Sequence, residues 1–177
     1  MSKNKVMKIL KSVGAVLDND HFVGTSGKHI DMYINKDALY PYTELTSRVC
    51  DMFAHELVDY KADAVIAPAM GGIILSQWTA YHLSKLKGQE IVGVYAQKTS
   101  DGGFEIGRGY DVYVKSKKVI VLEDLTTTGG SVKKVVDVVR RYDAEVEAVG
   151  VMINRNPDAE ASMFGAPFHT LGEVNAQ

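Results

Sequence analysis

One cysteine in 177 residues, Cys50, leaves this chain without the means to form an internal disulfide, and a reducing compartment suits it. Cys50 falls in an apolar pattern of helical spacing, so it is expected in the core rather than as a nucleophile. Charge of one sign is equally scarce. Lys and Arg number 20 against 22 Asp and Glu, a formal net charge of −2, which argues against a broad basic face for nucleic acid and leaves room for a small phosphate-binding cluster. No apolar run approaches the roughly 18–20 residues that span a bilayer. Met1-Ser2-Lys3-Asn4-Lys5 leads into a Lys-interrupted amphipathic stretch rather than a signal-peptide core. The expected location is therefore cytoplasmic, with neither membrane nor nucleic acid as partner. His21, His29, His55, His82 and His169 lack metal-ligand spacing, and none is given a catalytic role. Repeats, low-complexity tracts and linkers are absent as well.

What the chain does have is apolar material for one core: 46% hydrophobic and 24% charged residues over the length of one domain. Val6, Ile9, Leu10 and Val13 predict a helix over about residues 3–14, stopping near Gly14. The stretch Phe22 to His29, with two glycines flanking small hydroxyls, reads as a turn entering a strand at Met32-Tyr33-Ile34-Asn35. Leu45, Val49, Met52, Phe53 and Leu57 predict a second helix over about 43–60. Apolar strands follow at 64–67, 91–96, 119–122 and 146–153. Helices between them are marked by Ile74, Trp78 and Tyr81, and by Val132, Val135, Val136 and Val139. Such alternation means βαβ units and a doubly wound, mostly parallel sheet in one α/β domain. The strands at 64–67 and 119–122 lack polar alternation, as expected when both faces of a sheet are covered.

Ligands of such sheets bind beyond the carboxyl ends of the strands, and the loop there after 119–122 is the most unusual stretch of the chain. Two adjacent carboxylates, Glu123 and Asp124, precede Leu125-Thr126-Thr127-Thr128-Gly129-Gly130-Ser131, which opens a helix. Glycines and short hydroxyls at a helix N-terminus put N–H donors around a phosphate dianion. Carboxylates beside that cradle make sense if they bind another part of the same ligand, such as sugar hydroxyls or a metal–diphosphate. A plain helix entry with Ser131 as N-cap is the competing reading of the Thr/Gly segment alone. With no Lys in the P-loop position and no GxGxxG spacing, Walker and Rossmann readings fail.

The run Val119-Ile120-Val121-Leu122-Glu123-Asp124-Leu125-Thr126-Thr127-Thr128-Gly129-Gly130-Ser131 closely resembles the signature of the type I phosphoribosyltransferases, which bind 5-phosphoribosyl-1-diphosphate (PRPP). The resemblance implies that Thr126 to Ser131 hold the 5-phosphate and that Glu123 and Asp124 face the ribose. Nearly the whole chain resembles the orotate-using branch of that family. By that resemblance residues 1–40 form a small N-terminal hood over a core of about 41–177, and Ser26-Gly27-Lys28 lies next to base and diphosphate. It further implies that Met70, Gly71 and Gly72 contact the diphosphate, and that Thr127 and Arg155 lie at the base. A planar guanidinium suits a carboxylated pyrimidine because it donates two parallel hydrogen bonds. Lys28, Lys36, Gly71-Gly72 and Arg155 each also have a plain structural reading, and Lys36 on its own reads as a solvated lysine.

One stretch departs from the family pattern. Many orotate enzymes carry an Arg-Lys then Lys-x-His loop that reaches across a dimer. Here Gln97-Lys98-Thr99-Ser100-Asp101-Gly102-Gly103-Phe104 keeps Lys98 but lacks the Arg and the Lys-x-His part, and Arg108 lies nearby. The implied activity is transfer of ribose 5-phosphate from PRPP to orotate, with Mg²⁺ held mainly through PRPP. Lys98 is expected on a closing loop, serving the partner's diphosphate in a homodimer. A purine or other nucleobase enzyme, a PRPP-sensing regulator and a non-catalytic nucleotide binder are the alternatives.

Overall fold

The computed structural model describes residues 4–23, 29–156 and 158–174. Helix α1 (Asn4–Ser12) leads into an antiparallel hairpin of β1 (Val16–Val23) and β2 (His29–Ile34). The strand before the turn is absent from the sequence reading, because Asp18-Asn19-Asp20 is strand-poor composition; the pairing shifts register between Asp18 and Phe22 at that stretch. A 3₁₀ turn (Lys36–Ala38) then delivers the chain to α2 (Thr43–Leu57).

The main sheet has six strands: β3 (Ala64–Pro68), β4 (Val92–Lys98), β5 (Phe104–Glu105), β6 (Lys118–Thr126), β7 (Glu145–Asn154) and β8 (Phe168–Glu173), in the order β5-β4-β3-β6-β7-β8. All neighbours are parallel except the short β5. Helices α3 (Gly71–Lys87), α4 (Gly130–Arg140) and α5 (Ala161–Phe164), with a second 3₁₀ turn (Tyr110–Tyr113), complete the elements. Strand periodicity splits the core in two. Val65, Ala67, Ile120 and Leu122 pack with α1, α2 and α3, whereas Ala64, Ile66, Val119 and Val121 pack with the valines of α4 and with Phe164. This is why the strands read as unbroken apolar runs: successive residues enter different cores.

The chain leaves β3 through α3 to β4 on one side, then crosses back to place β6 on the other side of β3. The topological switch point of the sheet therefore lies between β3 and β6, where a crevice is expected. The ladder between them runs only from Ala64–Val119 to Ile66–Val121, whereas β6 stays paired with β7 as far as Thr126–Asn154. The strand expected to end at Leu122 thus continues through Glu123 and Asp124. Both carboxylates belong to a strand, not to a loop. Cys50 is fully buried in α2, as its pattern implied.

Candidate active site

At the switch point a cavity of about 190 Å³ is lined by the β3–α3 connection (Pro68 to Gly71), by Glu123, Asp124 and Leu125, and by Lys36, Lys98, Phe104 and Ser131. Asp124 is its most constrained group. Its side chain is only 2% exposed, and Oδ2 is 2.6 Å from the Lys36 ammonium. The Tyr40 hydroxyl donates to the same oxygen at 3.2 Å. A buried carboxylate needs such partners, since an unpaired one is strongly penalised. Burial draws the Lys36 ammonium down, but Asp124 opposes it and leaves Lys36 above its ordinary value. Tyr40 is pushed up by burial and by the same carboxylate. Lys36 is therefore not the solvated lysine that its sequence context suggests, and Tyr40 has no counterpart in the sequence reading. The contact joins residues 84 apart in the chain, which no local spacing reveals.

Glu123 differs from its neighbour. Burial first, and the adjacent Asp124 charge second, push its carboxyl up to about 8 from the ordinary 4.5, while its Oε1 accepts the Asp124 N–H at 3.1 Å. Adjacent carboxylates cannot both ionise cheaply, so their behaviour diverges. A folded-state value above the unfolded one means the associated stability is full below about 4.5 and is lost as pH rises through about 8. Glu123→Gln should therefore flatten the decline in melting temperature between pH 5 and 8, a slope of at most about 1.4 kcal/mol per pH unit. Melting curves of native and variant protein that run parallel across that range would contradict the assignment.

The β3–α3 connection shows why small residues are needed there. A Cβ on Gly71 would lie 2.3 Å from Asp124 Oδ2 and 3.0 Å from Tyr40 Oη, and one on Gly72 would lie 2.7 Å from Ala67 Cβ. The glycines thus make room for the buried carboxylate and for β3. Met70, beside a cis Ala69–Met70 peptide, is 82% exposed. Across the cavity α4 starts at Gly130 behind Gly129, whose φ is +80° and whose position a Cβ could not share with Met163 Sδ, 2.6 Å away. The N-cap Gly129 has no side chain to bond the first turn of α4, and Thr128 Oγ1 accepts from Gly130 N–H at 3.3 Å. Ser131 stands in the first turn rather than at the N-cap, which is Gly129. Thr126 is buried, whereas Thr127, Thr128, Gly130 and Ser131 are exposed around that helix start.

Lys98 ends β4 and lines the cavity that holds its own chain's Asp124. The stretch after Lys98, expected to be a closing loop, is built as a hairpin. Lys98 pairs with Phe104, Thr99 N–H donates to Gly103 O at 3.1 Å, Asp101 Oδ1 accepts from Thr99 Oγ1 and from Gly103 N–H, and Lys134 Nζ reaches Gly102 O at 2.8 Å. Gln97, in the place where Arg is usual, donates to Glu105 across this hairpin. Arg108 is exposed at the hairpin's exit with φ +60°.

Arg155 is brought near but not into this cavity. Its N–H donates to Thr126 O at 2.8 Å, while its side chain lines a separate cavity of about 420 Å³ with Asn154, Asn156 and Glu173. The residue is 8% exposed, its Nε has no hydrogen-bond partner among the described residues, and burial lowers its guanidinium. Lys28 lies outside the described residues. Among those described, no group of three or more His, Cys, Asp or Glu is placed to hold a metal, and no helix is long and apolar enough to cross a membrane. His169 is engaged by Glu56 and Tyr60, away from the Asp124 cavity.

An α/β sheet whose switch point joins a buried acidic pair to a glycine- and hydroxyl-rich helix start defines a site for a ligand that is polyol at one end and phosphate at the other. The sequence profile of the phosphoribosyl transferase domain matches residues 41–166, and the chain belongs to that family. It is 34% identical over 171 residues to the orotate phosphoribosyltransferase of Caldanaerobacter subterraneus subsp. tengcongensis, covering 97% of this chain and 84% of that one. To the orotate phosphoribosyltransferase of Thermotoga maritima it is 35% identical over 167 residues, covering 94% and 83%. The crystal structure of orotate phosphoribosyltransferase from Mycobacterium tuberculosis superposes with a TM-score of 0.76 at 16% identity, covering 97% and 95%, a likeness of fold.

Proposed function

We propose that this chain transfers ribose 5-phosphate from PRPP to orotate, giving orotidine 5′-monophosphate and diphosphate in de novo UMP biosynthesis. The observation that carries the reading is the buried Glu123–Asp124 pair beside the glycine-opened start of α4, in a chain whose 34–35% identical relatives are orotate phosphoribosyltransferases along nearly its whole length.

The bond from ribose C1 to the diphosphate oxygen breaks with its electron pair, and a ring nitrogen of the base bonds to C1. Positive charge gathers on the sugar between these events, and fixed charges aimed at it lower the barrier. Asp124 supplies the negative charge and accepts ribose hydroxyls. Glu123, whose carboxyl is pushed up to about 8 by burial and by the Asp124 charge, holds the ribose hydroxyls beside it. The N–H groups and hydroxyls of Thr126, Thr127, Thr128, Gly129, Gly130 and Ser131 take the 5-phosphate, with Leu125 lining the cavity. Met70, Gly71 and Gly72 offer backbone to the diphosphate, and Lys98 neutralises it as it leaves. Thr127, Arg155 and Lys28 are assigned to the base, Arg155 from the cavity beside that of Asp124. With Asp124 Oδ2 taken by Lys36 and Tyr40, the acidic pair suits ribose hydroxyls better than a bare ion. A hard Mg²⁺ would be held through the diphosphate and its own water, and would supply charge neutralisation. The protein is read as a cytoplasmic homodimer of single-domain chains with a hood at about 1–40. The loop near Lys98 is assigned to the partner's diphosphate across the dimer, with Lys98 also lining its own chain's cavity.

Diphosphate release from PRPP and Mg²⁺ with a panel of orotate, uracil, adenine and hypoxanthine tests the reading; release with a purine but not with orotate would overturn it. Arg155→Ala should raise KM for orotate by roughly 10-fold or more, the scale of an unpaired polar contact, with a much smaller effect on KM for PRPP. Equal effects on both substrates would remove Arg155 from the base.

A further inference from the structure

Asp124 does not hold itself in place. Both groups on its Oδ2 come from the segment that follows the hairpin: Lys36 opens the 3₁₀ turn and Tyr40 stands just beyond it. We propose that Lys36 and Tyr40 are positioning residues for Asp124, fixing one carboxylate oxygen so that the other is the one presented to the ribose hydroxyls. The inference rests on the phosphoribosyl-transfer reading above and names two residues it does not use.

Three observations bear on it. Lys36 and Tyr40 converge on a single oxygen, 2.6 and 3.2 Å away, which sets the direction of the carboxylate rather than merely neutralising it. Position 71 is kept clear for this arrangement, since a Cβ there would meet both Asp124 Oδ2 and Tyr40 Oη. Finally, Glu123 lies next in the chain, and two buried neighbours compete for one negative charge. An ammonium bound to Asp124 decides the competition, consistent with Lys36 held above its ordinary value and Glu123 pushed up to about 8. Without Lys36 the charge would be shared, and its geometry toward the sugar lost.

A double-mutant cycle separates positioning from direct ligand contact. Lys36→Met should lower kcat by on the order of 10-fold with little change in KM for PRPP, and Lys36→Arg should recover most of the loss. In an Asp124→Asn background, Lys36→Met should add almost nothing. Tyr40→Phe runs the same cycle with a substitution that keeps the ring, and carries the test if Lys36→Met melts before assay temperature. Losses that multiply with Asp124→Asn, or a loss confined to KM, would make Lys36 a direct diphosphate contact and overturn the proposal. Native protein that releases no diphosphate with any base overturns the functional reading and this inference with it. Active native protein with a multiplicative cycle overturns this inference alone.

Discussion

Asp124→Asn is expected to lower kcat for diphosphate release by at least about 10²-fold, the size typical of one lost electrostatic contact to a developing charge. Asparagine keeps the shape, and its amide still offers an oxygen toward Lys36 and Tyr40, so cavity geometry survives better than charge. The loss should thus fall on kcat more than on KM for PRPP, since the charge is needed only as the sugar becomes positive. Lys36 would then face a neutral partner in a half-buried site, so thermal stability should also fall, and a melting curve separates the two effects. A folded variant with unchanged turnover would remove Asp124 from the reaction.

Gly71→Ala should be nearly as damaging although it adds only one methyl. Its carbon would need to stand 2.3 Å from Asp124 Oδ2 and 3.0 Å from Tyr40 Oη, so carboxylate, tyrosine or the start of α3 must give way. Alanine is the better helix former, worth about 1 kcal/mol over glycine in a helix interior, which offsets part of the strain. Activity should therefore suffer more than stability: a kcat/KM for PRPP down by roughly 10²-fold, as for a misplaced reacting group, with a modest change in melting temperature. Gly72→Ala is the contrast, because its added carbon meets Ala67 in β3 instead of the carboxylate. It should cost stability, about 1–3 kcal/mol by overpacking, with the smaller loss per folded molecule. If both variants lose activity only in proportion to stability, Gly71 has no special relation to Asp124.

Much of the frame was legible before any coordinates. The strands at 64–67 and 119–122 announce themselves because alternate residues enter cores on opposite faces, leaving no polar position within them. What failed to show were elements whose composition argues against their structure. β1 carries Asp18, Asn19 and Asp20, and the end of β6 carries Glu123 and Asp124, residues that single-sequence reasoning assigns to turns and loops. The Thr99 to Gly103 stretch folds as a hairpin in which Asp101 accepts from Thr99 Oγ1 and Gly103 N–H, a pairing that its polar, glycine-bearing composition permits but does not spell out. Within the site, the acidic pair and the Thr/Gly segment were evident as a contiguous motif. Lys36 and Tyr40 were not, because their significance arises only when the chain after β2 folds back over the end of β6.

The unequal pairing of β6 has a mechanical meaning. On one flank its ladder with β7 persists through Thr126, and on the other its ladder with β3 stops at Val121. A strand moored along one side only has a stiff root and an open shoulder. The root fixes where the carboxylates stand relative to the core, and the shoulder supplies clearance for something to lie alongside them. Scaffold and vacancy are thus made by the same strand, with the changeover between them set where β3 and β6 part, after Ile66 and Val121.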